Sequence, residues 1–158
     1  MRFYLIDRIT ECVPGERASA IKAVSLSEDF MAQHFAGVPI MPGTLILEGM
    51  AQLAGYLLAR TASPDAPHKH KALLSMVEKA KFVQPVRPGE TLHLGVRIVS
   101  LHEDSAKVDA SATVGGMTAA SARLLFSFHA IENELLEAER RAIFAIWTSG
   151  ASQPTGRE

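Results

Sequence analysis

The sequence predicts an α+β fold in which a curved antiparallel β-sheet wraps one long central helix, with an extra helix near the C-terminus. Three observations carry this reading. Between residues 44 and 60 the only helix breakers are Gly49 and Gly55, and the polar residues Thr44, Glu48, Gln52, Tyr56 and Arg60 stand four apart among Leu, Ile, Met, Ala and Gly. That spacing keeps the polar groups along one slowly drifting side, and a helix apolar on its other faces is a buried one. The second half of the chain alternates apolar and polar residues in consecutive segments, as antiparallel strands with one buried and one wetter face do. Those buried faces need a partner, and residues 44–60 are the one buried helix available.

The elements follow in order. Residues 6–13 read as a strand, Pro14-Gly15 as a turn and 17–25 as a second strand, in which Ala18, Ala20 and Lys22 alternate imperfectly with Ile21, Ala23 and Val24. Ser27, Glu28 and Asp29 open a short helical turn. Residues 34–43 hold Gly37, Pro39, Pro42 and Gly43, a density that excludes helix and central strand and requires a stiff loop. Pro42 and Gly43 then mark the entrance of the central helix. Residues 61–70, with Ser63, Pro64, Asp65 and Pro67, read as a loop, and 72–82 as a strand ended by Pro85 and Pro88-Gly89. Leu92, Leu94, Val96 and Ile98 alternate in the next strand, and Val108, Ala110, Ala112 and Val114 in the one after it. Gly115-Gly116 is a strong two-residue hairpin signal. A last strand runs over 117–131, with Ala120, Ala122, Leu124, Phe126 and Phe128 on one face.

Residues 1–132 therefore form one domain. Residues 133–148 add an amphipathic helix: Asn133 is a good cap, Glu134 and Glu137 precede Arg140 and Arg141 as the helix dipole favours, and Leu136, Ile143, Phe144, Ile146 and Trp147 give it an apolar side. A solitary helix of this kind is marginal, so it is expected to dock on the domain. Residues 149–158 read as a disordered tail.

Composition narrows the function classes. A net charge of −1 with 21% charged residues speaks against a nucleic-acid protein and against a disordered chain. Cys12 is alone, which excludes a disulfide framework and a Cys-based metal site and leaves it as a small, partly buried hydrophobe. Asp7 interrupts the N-terminal apolar residues too early for a signal-peptide core, and no apolar run reaches the length of a membrane span. A cytoplasmic enzyme or binding protein fits. His68 and His70 lack nearby Cys, Asp or Glu to complete a metal shell, and His93, His102 and His129 are read as strand residues without a chemical role.

The chemistry concentrates in the stiff loop and the helix that follows it. Glu48 is a carboxylic acid on a helix read as buried; such a group is expected to have a raised pKa and to serve as a general acid. His34 lies fourteen residues earlier, at the far end of the loop. The frame His34-Phe35-x-Gly37-x-Pro39-x-Met41-Pro42-Gly43-x-Leu45-x-x-Glu48-x-Met50-Ala51-Gln52 strongly resembles the active-site signature of the 3-hydroxyacyl-[acyl-carrier-protein] dehydratases of type II fatty-acid synthesis. Twelve fixed positions in one short frame make this a specific match. Glu48 is the acid of the FabZ-type branch; the FabA-type dehydratase/isomerase branch has Asp there. The family usually places Gly at Gln33, Pro at Ala36 and Ala at Gly49, departures that remove no chemical group. The resemblance extends over roughly residues 3–131, including the opening hairpin and the segment around Pro85 and Pro88-Gly89. It implies the hot-dog fold, which the strand pattern reaches independently.

Dehydrating a 3-hydroxyacyl thioester needs a base for a weakly acidic proton and an acid for a poor leaving group. His34 suits the first and a protonated Glu48 the second. The amide of Gly43, at the helix start, favours the negative charge that develops on the thioester oxygen, and Gln52, one turn after Glu48, can hydrogen-bond it. The resemblance implies the same roles for His34, Glu48 and Gly43. It also implies a homodimer, in which His34 of one subunit works with Glu48 of the other, and an apolar acyl tunnel, to which Phe35, Ile40, Met41 and Leu45 are assigned. No cofactor or metal is required. Acyl carrier proteins are acidic, so a local basic patch is expected, and Lys79, Lys81 and Arg87 are its candidates. Two other readings stay open: a hot-dog thioesterase, which would have no use for the His34 frame, and a non-catalytic acyl-binding partner in a heterodimeric dehydratase. For the C-terminal helix the outer face of the sheet is the preferred destination and the tunnel mouth the alternative.

Overall fold

The structure, a computed structural model, describes residues 4–129 and 132–149. Strands β1 (Arg8–Val13) and β2 (Arg17–Ala23) form a hairpin; a 3-10 turn (Asp29–Ala32) leads into the Gly/Pro-rich loop and helix α1 (Gly43–Ala62). A second 3-10 turn (Pro67–Lys69) precedes β3 (Ala72–Phe82), β4 (Thr91–Leu101), β5 (Ser105–Val114), β6 (Met117–Phe128) and helix α2 (Glu134–Thr148). The six strands make one sheet in the order β1-β2-β4-β5-β6-β3, every pair antiparallel. This is the hot-dog arrangement expected from the sequence.

Helix α1 is buried for the reason its sequence gave: with apolar residues on most faces, it must be covered on most faces. Ile46, Met50, Leu53, Leu57 and Leu58 are at most 3% exposed. Each fully buried leucine contributes about 2 kcal/mol of transfer free energy. The sheet side of this core is built largely of alanine: Ala18, Ala20, Ala106, Ala110, Ala112, Ala120 and Ala122 are buried among Leu92, Leu94, Val96, Val108 and Leu124. Small side chains let the central strands curve closely round the helix. Gly49 serves the same end, since a Cβ there would stand 3.2 Å from the Leu5 carbonyl oxygen and 3.3 Å from Leu94. Gly55 does not: a Cβ there would meet nothing within 4 Å.

The outer face carries the polar alternates. Arg123 donates twice to Asp109 across the β5–β6 pair, at 2.6 and 3.0 Å. At the β5–β6 turn Gly115 and Gly116 both have positive φ, 57° and 80°, as the favoured two-residue hairpin turn requires. The last strand ends at Phe128, short of the expected bound, and residues 130–131 lie outside the described ones. His93 is a strand residue, but His102 sits in the β4–β5 turn and His129 just beyond β6, where its Nε2 is 2.9 Å from the Ser127 hydroxyl. Of the tail expected over 149–158, all but Ser149 lies outside the described residues.

Helix α2 begins as its sequence indicated, with the Asn133 side chain accepting from the Leu136 amide at 2.9 Å. Its destination differs from the preferred one. It packs beside β1 and the 67–69 turn, on the side of α1 that the sheet leaves open, and not on the outer face. The reason is that Tyr56 offers an apolar ring there: its centroid lies 4.9 Å from Phe144 and 6.4 Å from Trp147, both edge-on. The outer face, crowded with Arg, Asp and Ser, offers nothing comparable. Arg140 secures the contact by donating to the carbonyls of His68 and His70, at 3.1 and 2.9 Å. Lys71, only 5% exposed, donates to Glu137 at 3.0 Å.

That ion pair predicts a pH dependence. The hydrogen bond from Lys71, reinforced by its charge, holds the Glu137 carboxyl below its ordinary value. A carboxyl depressed in the folded state stabilises it fully above the ordinary glutamate value of about 4.5, and that stability fades as the pH falls below it. Thermal unfolding followed by circular dichroism should therefore show a melting temperature that drops below this pH, and less steeply in Glu137→Gln. Equal slopes for both proteins would exclude the pair as a contributor.

Candidate active site

The loop from His34 to α1 is fixed from both ends. Upstream, Lys22 reaches from β2 to Glu28 at 2.6 Å and to Asp7 at 3.4 Å, while Met31 of the first 3-10 turn is 2% exposed. Downstream, the Met41 amide donates to the Val86 carbonyl at 2.8 Å. Between them Phe35 and Val38 exchange backbone hydrogen bonds of 3.2 and 3.0 Å, and the Ile40 amide donates to the His34 carbonyl at 2.8 Å. Gly37 has φ 81°, which closes this tight turn at little cost. The His34–Phe35 peptide bond is cis, a feature no sequence signal announced.

The loop also fixes the state of the His34 ring. Its Nδ1 lies 3.1 Å from the Ile40 carbonyl oxygen. A carbonyl only accepts, so in the neutral ring Nδ1 carries the proton and Nε2 is left with a basic lone pair. His34 lines a hollow of about 240 Å³ together with Ile40, Met41, Gly43, Ile46 and Phe82. Gly43 is the first residue of α1, and no side chain caps this helix start. First-turn amides have no partner within the helix, so the hollow contains donors suited to negative charge. A Cβ on Gly43 would come within 2.7 Å of the Phe82 ring, so the glycine makes room for a close neighbour at this point.

Glu48 lies elsewhere. It lines a separate hollow of about 340 Å³ that follows α1 past Ala51, Gln52, Gly55 and Tyr56. Gln52 donates to Glu48 Oε1 at 3.0 Å through Nε2, and its own Oε1 accepts from the Leu5 amide at 3.0 Å. The glutamine thus ties the carboxylate to the segment before β1. The expectation that Glu48 is enclosed is not met within one chain, where the residue is exposed. The sheet covers the faces bearing Met50, Leu53 and Leu57, and the side bearing Thr44, Glu48 and Gln52 points out of its concavity.

The remaining expected residues divide. Of the four assigned to an acyl tunnel, Ile40 and Met41 line the His34 hollow. Phe35 is 57% exposed and stacks on the His34 ring at 4.2 Å, because the turn directs it outward. Leu45 points off the hollow and packs half-buried against the core. Lys79 and Lys81 flank a shallow depression on the sheet with Arg123, a cation that sequence reasoning missed because it is more than forty residues away along the chain. Arg87 is not among that group: the Val86–Met41 hydrogen bond carries its loop toward the start of α1. The aromatic wall supplied by α2 to the Glu48 hollow was also missed, because helix periodicity marks an apolar side without saying what it meets. Among the described residues no His, Cys, Asp or Glu cluster is arranged to hold a metal ion, and no helix is long and apolar enough to cross a membrane.

A FabA-like domain model matches residues 1–123. The chain belongs to the FabA-like family. Among relatives of this FabA-like chain, the 3-hydroxyacyl-[acyl-carrier-protein] dehydratase FabZ of Geotalea uraniireducens is 39% identical over 126 residues, covering 80% of this chain and 86% of that protein. The FabZ of Ehrlichia chaffeensis is 42% identical over 123 residues, covering 78% and 82%. Two solved structures share the fold: smu.793 from Streptococcus mutans bound to acetyl CoA, with TM-score 0.64 and 15% identity over 84% of this chain and 96% of that one, and the dehydratase heterocomplex ApeI:P from Xenorhabdus doucetiae, with TM-score 0.64 and 15% identity over 86% and 88%. The family match ends within β6, before α2 begins.

The His34 geometry makes a direct prediction. Nitrogen-15 NMR of the FabA-like chain at a pH where His34 is neutral should show its proton on Nδ1. A ring protonated on Nε2 would place the basic lone pair against Ile40 and remove the base from the hollow.

Proposed function

We propose that this chain is a hydro-lyase that converts 3-hydroxyacyl thioesters, carried on acyl carrier protein, to trans-2-enoyl thioesters in fatty-acid synthesis. The observation that carries the proposal is the His34 ring held by Ile40, with a basic Nε2 in the same hollow as the Gly43 amide. Identity near 40% to proteins named as FabZ dehydratases supports it.

The steps follow from these groups. His34 Nε2 takes the proton from C2, and the electron pair moves toward the thioester carbonyl, whose oxygen gains negative charge beside the Gly43 amide. Glu48 in its acid form gives its proton to the C3 hydroxyl as the C3–O bond breaks, so water leaves and the C2=C3 double bond forms. Gln52 holds the carboxyl in position. His34 ends with one proton more and Glu48 with one fewer, and transfer between them restores the starting state. No cofactor or metal takes part.

The two groups open into different hollows of one chain, and Glu48 lacks the cover a buried acid needs. Both facts support a homodimer in which each site takes His34 from one subunit and Glu48 from the other. The β3 edge is the surface that supports this pairing best. It is eleven residues long, has no neighbouring strand on its free side among the described residues, and exposes Leu73, Leu74, Met76, Val77 and Phe82. An apolar, unpaired edge of that length is avoided in monomers. The unit we assign to catalysis is residues 1–132, with the helix over 133–148 as an appended element, and the compartment is the cytoplasm.

Purified protein given a 3-hydroxyacyl thioester should yield the enoyl thioester; free acid would indicate a thioesterase and no product a binding protein. His34→Ala and Glu48→Gln should each lower turnover at least about a hundredfold while remaining folded. Equal mixing of the two variants through unfolding and refolding should restore about one quarter of the wild-type activity, because half the dimers are mixed and each has one intact site. No restoration would place both groups of a site on one chain.

Docking of the acidic carrier is assigned to Lys79 and Lys81 on the sheet and to Arg87, which stands apart from them on the loop tied to the start of α1. Reversing the three charges should lower kcat/KM for carrier-bound substrate far more than for a small thioester mimic. Equal losses on both substrates would remove these residues from docking.

A further inference from the structure

The hollow that begins at Glu48 has an end. Its floor is α1 from Glu48 to Tyr56, a rise of about 12 Å, and at the Tyr56 end it is lined by Phe144 and Trp147 of α2. The rings are tightly packed: Phe144 and Trp147 are 9% and 5% exposed, their centroids are 5.7 Å apart, and both pack on Tyr56. Arg140, which itself lines the hollow and stands 5.0 Å over the Phe144 ring, ties α2 to the His68 and His70 carbonyls, and the buried Lys71 pairs with Glu137 of the same helix. The floor is open where the sequence has Gly55, since a Cβ there would meet nothing within 4 Å. A glycine inside a helix costs about 1 kcal/mol against alanine, and here it packs against no neighbour.

We infer that α2 is the end wall of the acyl-chain groove and sets the longest substrate accepted, with Phe144 and Trp147 as the stop and Gly55 as the position that keeps the groove clear. This rests on the dehydratase reading above, in which Glu48 acts at C3 and the alkyl tail continues away from the thioester. An extended tail of roughly nine carbons spans the distance from Glu48 to the wall. The ligand class is therefore a saturated alkyl chain of limited length, met by aromatic rings.

Two opposed variants test it. Gly55→Leu places a helix-favouring side chain in open space and so should fold, while narrowing the groove. Phe144→Ala removes part of the stop. With 3-hydroxyacyl thioesters of increasing length, wild-type kcat/KM should fall once the tail exceeds the groove. Gly55→Leu should lower the long-to-short ratio at least about tenfold, and Phe144→Ala should raise it by a similar factor. Long-to-short ratios equal to wild type in both folded variants would overturn the inference. Trp147, the single tryptophan of the chain, gives a reading independent of turnover. Saturated acyl thioesters long enough to reach α2 should change its fluorescence and shorter ones should not; a response independent of chain length would also overturn the inference. Absence of dehydration at every length would instead refute the dehydratase reading and leave the fluorescence result to decide whether α2 ends the groove.

Discussion

Everything in this molecule depends on the enclosure of one helix. An apolar helix in water is costly on every face, and α1 is apolar on most of them. The sheet solves this by curving, and it can curve because the residues it turns inward are largely alanines, with Gly49 on the helix side taking the closest approach. The enclosure in turn rigidifies the entrance to α1, where the Met41–Val86 hydrogen bond ties the loop to the segment after β3. Without that anchor, the geometry that sets the His34 tautomer would have nothing to rest on.

Enclosure is also incomplete in a consistent way. The sheet covers α1 from below and leaves open the side bearing Glu48, Gln52, Gly55 and Tyr56. Two things claim that side: α2 covers the Tyr56 end, and the Glu48 end stays open to whatever packs against the chain. The four-residue spacing of the polar groups therefore records which strip of the helix the domain itself does not cover.

The element order, the central helix and the strand from 72 to 82 were legible because each rests on a local signal: breakers at loop ends, period two in strands, Gly-Gly at a hairpin. The Gln52–Glu48 hydrogen bond was legible from their four-residue spacing, and it was the family resemblance that singled out His34 and Glu48 as candidates. What escaped was non-local. The enclosure of Glu48 was overestimated because helix composition reveals how much is buried but not which residue faces the gap in the sheet. The docking site of α2 was misjudged because it depends on Tyr56, a ring almost ninety residues earlier whose orientation only packing decides. Phe35 was assigned to the tunnel from its place in the family frame, whereas within one chain the turn around Gly37 directs it outward.

The position of β3 has a consequence for the order of folding. Its partner within the sheet is β6, with Ala72 opposite Phe128 and Phe82 opposite Ala120. The strand leaves the ribosome before β4 and β5, yet it cannot pair until β6 has followed them. At ordinary rates of synthesis that interval lasts a few seconds, during which Leu73, Leu74, Met76 and Val77 have neither a strand beside them nor a finished core beneath. The same residues that make a long apolar edge in the folded chain therefore stay unpaired for that interval while the chain is being made.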